Sequence, residues 1–373
     1  MIGRCFTLLG MPQRPATPPS RRSTKALAPS DRPTGLPHLV LDGASVRFLG
    51  EPVDTGLFPA DGARLWRACD GTRPLSSFDA GDQELITRWY GAGLLVVAPA
   101  APLRPAAPGL PPVIVSPHPD DAQLALGGLL HRSGGRVVDV FSHETWTRRP
   151  YYQERPELAS RTLIEEERVA CRVLDTSLTL LGHVDGEARA AWADGFLLQD
   201  DAAARVRAAE PELLDRVTAD LARELAGEHL VLVPLAVGGH VDHVLAREAV
   251  RRLVTEGELA AERVAFYEDM PYSLFADPGT ASARLSVEWD GPLAPVPVPL
   301  DERAVEAKQE ALWPYRLQVL EATSRRIVRY GKNLAARLPE AEPAASVERL
   351  WAPAAALDAV RRLAQTVSGR AAR

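Results

Sequence analysis

The stretch Val113-Ile114-Val115-Ser116-Pro117-His118-Pro119-Asp120-Asp121, running on through Ala122-Gln123-Leu124-Ala125-Leu126 into Gly127-Gly128, decides the fold. Its apolar start suits a strand buried on both faces, and it ends in one imidazole and two adjacent carboxylates ahead of a helix-forming segment. In α/β enzymes that junction carries the chemistry. His118 and Asp121 are spaced to face one metal ion from the strand end and the first helical turn, which leaves Asp120 free to handle a proton. A metal site needs a third ligand. The other dense cluster of this kind is Gly239-His240-Val241-Asp242-His243, just after the apolar run Leu230 to Pro234.

Working outward, Val137 to Phe141, Leu178 to Leu181, Leu230 to Val233 and Val264 to Tyr267 are further apolar runs without alternation, the pattern of strands covered on both faces. Glu165 to Leu174, Glu212 to Leu225 and Val244 to Val254 carry apolar residues at helical spacing between them. Strands alternating with helices predict a Rossmann-like, doubly wound parallel sheet over residues 113–373, with its ligand site at the carboxyl ends of the strands. Residues 98–112 are rich in proline and alanine and read as a stiff linker.

Before that linker, residues 37–97 predict a small α+β domain. Leu39-Val40-Leu41 and Val46 to Leu49 flank the turn signal Asp42-Gly43, then two short helices carry Leu65, Trp66 and Cys69, and Leu85, Ile86 and Trp89, ahead of a strand at Leu94 to Val97. Strand pair, helix, helix, strand is a winged-helix outline. Residues 1–36, broken by Pro12, Pro15, Pro18, Pro19, Pro29 and Pro33, read as a disordered leader.

A net charge of -6 gives no basic excess of the kind that marks a general nucleic-acid binder, so no nucleic-acid partner is expected. The cysteines, Cys5, Cys69 and Cys171, are scattered and odd in number; they make neither a disulfide framework nor a thiolate metal site, and they suit a reducing cytoplasm. Met1 to Met11 lacks the charged start and cleavage site of a signal peptide, and no run is long enough to span a bilayer.

Taken together, His118-Pro119-Asp120-Asp121 with Gly127-Gly128, and His240-Val241-Asp242-His243, resemble the LmbE-like, or PIG-L, metal-dependent N-deacetylases. The likeness extends through Glu167 and Ala170 to Leu174, Tyr267-Glu268-Asp269-Met270-Pro271-Tyr272, Lys308 with Tyr315 and Gln318, and Glu348-Arg349-Leu350-Trp351. It implies that His118, Asp121 and His243 bind zinc, or ferrous iron, with Asp120 as general base toward a water acidified by the metal. It also implies that His240 stabilises the oxyanion or protonates the departing amine, with Asp242 hydrogen-bonded to the His240 ring. Two positions depart from the pattern. Gly238 stands where mycothiol-pathway members have a tyrosine acid, which moves the acid role toward His240, and Asp175 stands where the family has Gly. The implied substrate is a small N-acyl amino sugar, glycoconjugate or related specialised metabolite.

Residues 37–97 resemble, in Ala63-Arg64-Leu65-Trp66, Asp70-Gly71-Thr72 and Gly93-Leu94-Leu95-Val96, the PqqD-like domains that bind leader peptides of ribosomally made precursors. If they bind a peptide, the substrate is an acylated peptide; otherwise they are a structural or dimerising module. Among other positions, His143, at the rim after the second strand, and Asp185 and Arg189, in a loop that resembles a sugar-contacting one, are candidate substrate contacts. Asp185-Gly186 reads equally as a turn. Glu268 and Asp269 are either supporting groups or a capped strand end, and Ala188 to Pro211 is a candidate lid. His38, His131 and His229 read as surface or terminus residues. Two rivals stay open: an iron oxygenase suggested by His240-Val241-Asp242, against which the strand pattern speaks, and a metal-stabilised binding protein without turnover.

Overall fold

A computed structural model describes residues 26–42, 45–54, 56–59, 61–98, 111–193, 195, 197, 202–227, 229–289, 291–338 and 343–369. The expected linker lies outside the described residues except at its two ends, as does residues 1–25 of the expected leader.

All five apolar runs form strands: β1 (Val113–Ser116), β2 (Arg136–Asp139), β3 (Ser177–Leu180), β4 (Val231–Pro234) and β5 (Val264–Tyr267). They pair in parallel in the order 3-2-1-4-5. That is the doubly wound order, and the chain changes direction of travel across the sheet between β1 and β4. Two strands extend the sheet beyond β5 with antiparallel pairing, β6 (Ala294–Leu300) at the edge and β7 (Ser346–Ala352) between it and β5.

Alternate side chains of the parallel strands feed two cores. Ile114, Val137, Leu232 and Ala265 join the helices Asp121–Ser133, Pro156–Leu174, Glu302–Leu312 and Leu357–Ser368 on one face. Val113, Val115, Val138, Val233 and Phe266 join Pro211–Glu224 and Val241–Thr255 on the other. A sheet covered on both faces needs apolar residues at every position, which is why these runs show no alternation.

The glycines of the first motif serve packing. The helix Asp121–Ser133 breaks at Leu126, which leaves helical φ/ψ. The break frees backbone groups that side chains from afar then satisfy. Glu348 of β7 accepts from Gly128 N at 2.9 Å and Leu129 N at 2.8 Å, while Lys308 Nζ donates to Ala125 O at 3.0 Å and to Glu348 at 2.7 Å. A Cβ on Gly128 would come within 2.3 Å of Leu300 Cδ1, so the close approach of β6 requires its absence.

The amino-terminal residues do not stand apart from this core. Leu36, Phe48, Trp89 and Leu94 belong to the same cluster as Ile114 and Leu124. The strands Leu39–Asp42, Ser45–Phe48 and Glu51–Pro52 form one small sheet, with helices at Gly62–Ala68 and Ala80–Gly91. The last strand, Leu95–Ala98, pairs with Arg32–Gly35 and not with that hairpin. Arg32–Gly35 was expected in the disordered leader, and its strand corrects that boundary. The reason is local: Pro33 needs no partner for a missing N–H at the edge of a two-stranded sheet, while Thr34 and Leu36 are buried. His38, expected at the surface, is fully buried, its Nε2 2.5 Å from Glu166 Oε1. Glu166 also accepts from the backbone N–H groups of Arg316 at 2.7 Å and Leu317 at 3.0 Å.

No helix among the described residues is long and apolar enough to cross a membrane.

Candidate metal centre and active-site cavity

The reversal of strand order between β1 and β4 opens a crevice at their carboxyl ends, and both motifs lie there. His118 follows β1 by two residues, Asp121 begins the kinked helix, and His240 caps the helix Val241–Thr255 that carries Asp242 and His243. Asp120 sits between strand and helix at φ 140°, a conformation that side chains with a Cβ rarely adopt and that surrounding structure must hold in place.

His118, Asp121 and His243 converge. Asp121 Oδ2 is 3.2 Å from His118 Nδ1 and 3.2 Å from His243 Nε2. Ligand atoms around a tetrahedral zinc with bonds of about 2.0–2.1 Å stand roughly 3.3 Å apart, so the spacing matches. His243 Nδ1 donates to Asp269 Oδ1 at 2.5 Å, and Asp269 Oδ2 accepts from Val237 N at 2.9 Å. That leaves His243 Nε2 buried with no hydrogen-bond partner, facing Asp121 and His118. A carboxylate behind a histidine whose far nitrogen is orphaned is the arrangement of a metal ligand. The imidazoles of His118, His240 and His243 also group closely, as do His118, Asp185, His240 and Asp242, and these residues fit a metal ion.

The electrostatics agree. Burial by itself would lower the pKa of His118 and His243, but Asp121 and its neighbours outweigh it, raising His118 well above its usual range and His243 to about 9. Burial would raise Asp121, yet the two imidazoles hold it far below. The cluster thus contains an anionic carboxylate between two basic rings, which a cation can replace as proton holder. Asp120 is pushed well up by burial and then by the charges of Asp121 and Glu144.

Asp242 does not hold the His240 ring as expected. Its Oδ2 lies 2.9 Å from His118 Nε2 and accepts from Gly186 N at 2.8 Å. The first helical turn points this side chain back toward β1, so it orients His118 instead. The His240 ring is set by the backbone, its Nδ1 accepting from Asp242 N at 3.2 Å, which places the hydrogen on Nε2. Burial, then the positive charge of His118 and His243, holds His240 well below the usual imidazole range. His240 is a neutral donor here.

A cavity of about 1180 Å³ contains His118, Asp120, Asp121, Asp185 and His240. Arg189 is not on its wall: it pairs with Glu210 at 2.8 and 2.9 Å and lies 2.6 Å from Asp242 Oδ1, so it buttresses Asp242 rather than touching a ligand. His143 is exposed and off the wall too. Its backbone bridges Val184, and in extended chain the next side chain points the opposite way, which sends Glu144 into the cavity. Glu144 is pushed up to about 8 by burial, and its Oε2 is buried without a partner while Oε1 accepts from Gln318. Leu197, Ala202 and Ala203 of the candidate lid line the cavity, whereas residues 194, 196 and 198–201 lie outside the described residues.

Asp269 serves as the supporting group rather than the strand cap. Glu268 instead accepts from Trp351 Nε1 at 2.9 Å and Tyr330 OH at 2.8 Å. Tyr272 was missed. A Cβ on Gly238 would come within 2.8 Å of its ring, so the glycine in the motif loop makes room for an aromatic wall supplied from beyond β5.

A family model described as GlcNAc-PI de-N-acetylase (PIG-L) matches residues 113–254. The chain is 30% identical over 263 residues to the 2'-N-acetylparomamine deacetylase of Streptomyces fradiae, covering 65% of this chain and 90% of the relative. Among solved structures it is similar to the zinc-inhibited form of a teicoplanin deacetylase, at 18% identity and a TM-score of 0.46 over 64% of this chain and 96% of that one. It is similar as well to an N,N'-diacetylchitobiose deacetylase from Pyrococcus horikoshii, at 14% identity and a TM-score of 0.38 over 64% and 81%.

Proposed function

The chain belongs to the PIG-L family and is a hydrolytic N-deacetylase, and from that premise we propose that it frees the amine of an N-acyl amino sugar or related glycoconjugate, with zinc as its metal. The observation that carries the reading is the buried, unpartnered Nε2 of His243 facing Asp121 and His118, beside Asp120 in one cavity. The amino sugar is proposed because a relative 30% identical to this chain is named 2'-N-acetylparomamine deacetylase.

His118, Asp121 and His243 would hold the metal, which when bound supplies a polarised amide carbonyl and an acidified water. Asp120 accepts from Leu124 N through its backbone carbonyl, while its carboxylate lines the cavity and is placed to take the proton of the attacking water and return it to the departing nitrogen. His240 donates its Nε2–H toward the oxygen on which negative charge develops. Asp242 and Asp269 fix the rings of His118 and His243 and move no proton to substrate.

Residues 37–97 are read as a brace rather than a peptide receptor. Trp66 packs edge to face with Trp89 and with Phe58, Trp89 stacks on Phe58, and His38 reaches Glu166, which holds the backbone of Arg316 and Leu317 next to the cavity residue Gln318.

Amine release from N-acetylated amino sugars, measured on protein as isolated, after chelation and after adding zinc or ferrous iron, tests the reading. Activity should vanish with the metal and return with zinc. Turnover that survives complete chelation, or a set of sugars left intact by the zinc-loaded protein, would overturn it.

A further inference from the structure

The cavity is too large for an acetylated sugar alone. Its volume of about 1180 Å³ exceeds the roughly 300–1,000 Å³ that holds a drug-sized ligand, and an N-acetyl amino sugar is smaller than that. Its two sides also differ in chemistry, and the sheet order sets the division. Loops that follow β2 and β3 contribute Glu144, Arg148, Asp185 and Glu187, joined by Gln318. Loops and helices that follow β4 and β5 contribute Leu235, Val237, Val244, Ala281 and Leu285, joined by Ala203. Because β2 and β3 lie on one side of the β1/β4 crevice and β5 on the other, the metal cluster stands at the border between a polar half and an apolar half.

The charges on the apolar half are engaged or lie at its rim. Arg247 is tied to the carbonyl of Leu235 at 2.9 Å, exposed Asp277 caps the helix Pro278–Glu288 by accepting from Gly279 N and Thr280 N, and Arg284 and Glu288 of that helix are exposed. Phe275 and Val287, both on the wall, are 67% and 84% exposed, so the trough runs to the surface as apolar residues open to solvent. Water in such a trough gains few hydrogen bonds, and an apolar ligand displaces it favourably.

A secondary amide is trans, so its acyl group and the substituent on nitrogen extend in opposite directions from the scissile bond. With the hydroxyl-rich sugar in the polar half, the acyl group enters the apolar half. The geometry points to an unbranched acyl chain of about eight or more carbons as the occupant of that half, making this enzyme a deacylase of fatty-acylated amino sugars. The inference rests on the amino-sugar reading above. The reaction balances as hydrolysis: the C–N bond breaks, water supplies the hydroxyl to the acyl carbon and a proton to the amine, and a fatty carboxylate leaves through the open end.

The test compares N-acetyl-, N-butanoyl- and N-octanoylglucosamine with the zinc-loaded full chain. kcat/KM should rise at least tenfold from acetyl to octanoyl, less than the roughly fourfold per methylene that full burial would give. Ala281→Trp, on a half-exposed position of the entrance helix, should reduce the octanoyl-to-acetyl ratio at least tenfold. It should also abolish decanoate binding to the full chain, read by calorimetry, which checks that the tryptophan acts on the trough. A flat or falling series, with acetyl turned over, overturns the acyl-chain inference and leaves the amino-sugar reading intact. So does a rise in kcat/KM that follows an apolar group at the sugar's anomeric carbon instead. Failure with all three amides overturns both.

Discussion

The polar and apolar halves of the cavity are built from the same kind of element, a loop after a parallel strand, yet they present opposite chemistry to one substrate. The half after β2 and β3 is held by buried polar links: Gln318 to Glu144, and Thr147 Oγ1 to Leu317 O at 3.0 Å. The half after β4 and β5 is held by packing, with Val237, Val244 and Leu285 in one apolar core. Hydrogen-bonded walls fix orientation through a few placed groups, whereas packed walls tolerate length and shape. The switch in strand order therefore divides specificity as well as locating the site.

The sharpest way to break this comparison is at the border. Asp120→Asn should lower kcat by about 10²–10⁴-fold, and by the same factor for acetyl and octanoyl substrates, because the proton it handles belongs to neither half. A loss confined to one chain length, in single-turnover assays, would mean that Asp120 shapes a half instead. Next in size is Asp269→Asn, behind His243 on the apolar side. Zinc affinity should weaken about 10–100-fold in competition with a chelator, with the chain-length ratio preserved.

Glu144→Gln addresses the polar half. KM for the sugar should rise up to roughly tenfold, the scale of one hydrogen bond lost. It should also change the pH response of the metal-free protein. Burial raises Glu144 from 4.5 to about 8, so the unfolded chain releases this proton first, and the stability it contributes is complete below about 4.5 and lost as pH rises through 8. Tm should therefore fall less between pH 5 and 8 in the variant than in the native chain. The smallest effect is expected from His38→Leu, which removes one of three donors to Glu166. A stability loss of about 1–3 kcal/mol by denaturant unfolding should come with a rise in sugar KM and no change in chain-length preference. Altered chain-length preference would show that the amino-terminal brace reaches the apolar half.

Much of this was legible in the sequence. The five parallel strands announce themselves because burial on both faces demands unbroken apolar runs, and the two His/Asp motifs follow β1 and β4. What the residues did not show was direction. Whether Asp242 meets His240 or His118 depends on how the first helical turn is rotated against β1, and whether His143 or Glu144 faces the cavity depends on the pleat of one extended segment. Arg189 lies in the expected loop, but Glu210, twenty-one residues on, captures it. β6 went unread because Pro295, Pro297 and Pro299 argue against a strand. At an edge, every second N–H faces outward and is dispensable, and Val296, Val298 and Leu300 occupy the inner positions. Glu144 had a signal, a carboxylate just past a strand end beside the histidine that drew attention.

The break at Leu126 has a consequence for the order in which the nascent chain matures. The second half of the helix that begins with Asp121 is completed by Glu348, 220 residues downstream of Gly128. As the protein emerges from the ribosome, both His/Asp motifs are synthesised well before the carboxylate that caps this helix. Until it arrives, the amides of Gly128 and Leu129 and the ammonium of Lys308 lack their partner, so the catalytic scaffold stays unfinished while more than a quarter of the chain is still to come.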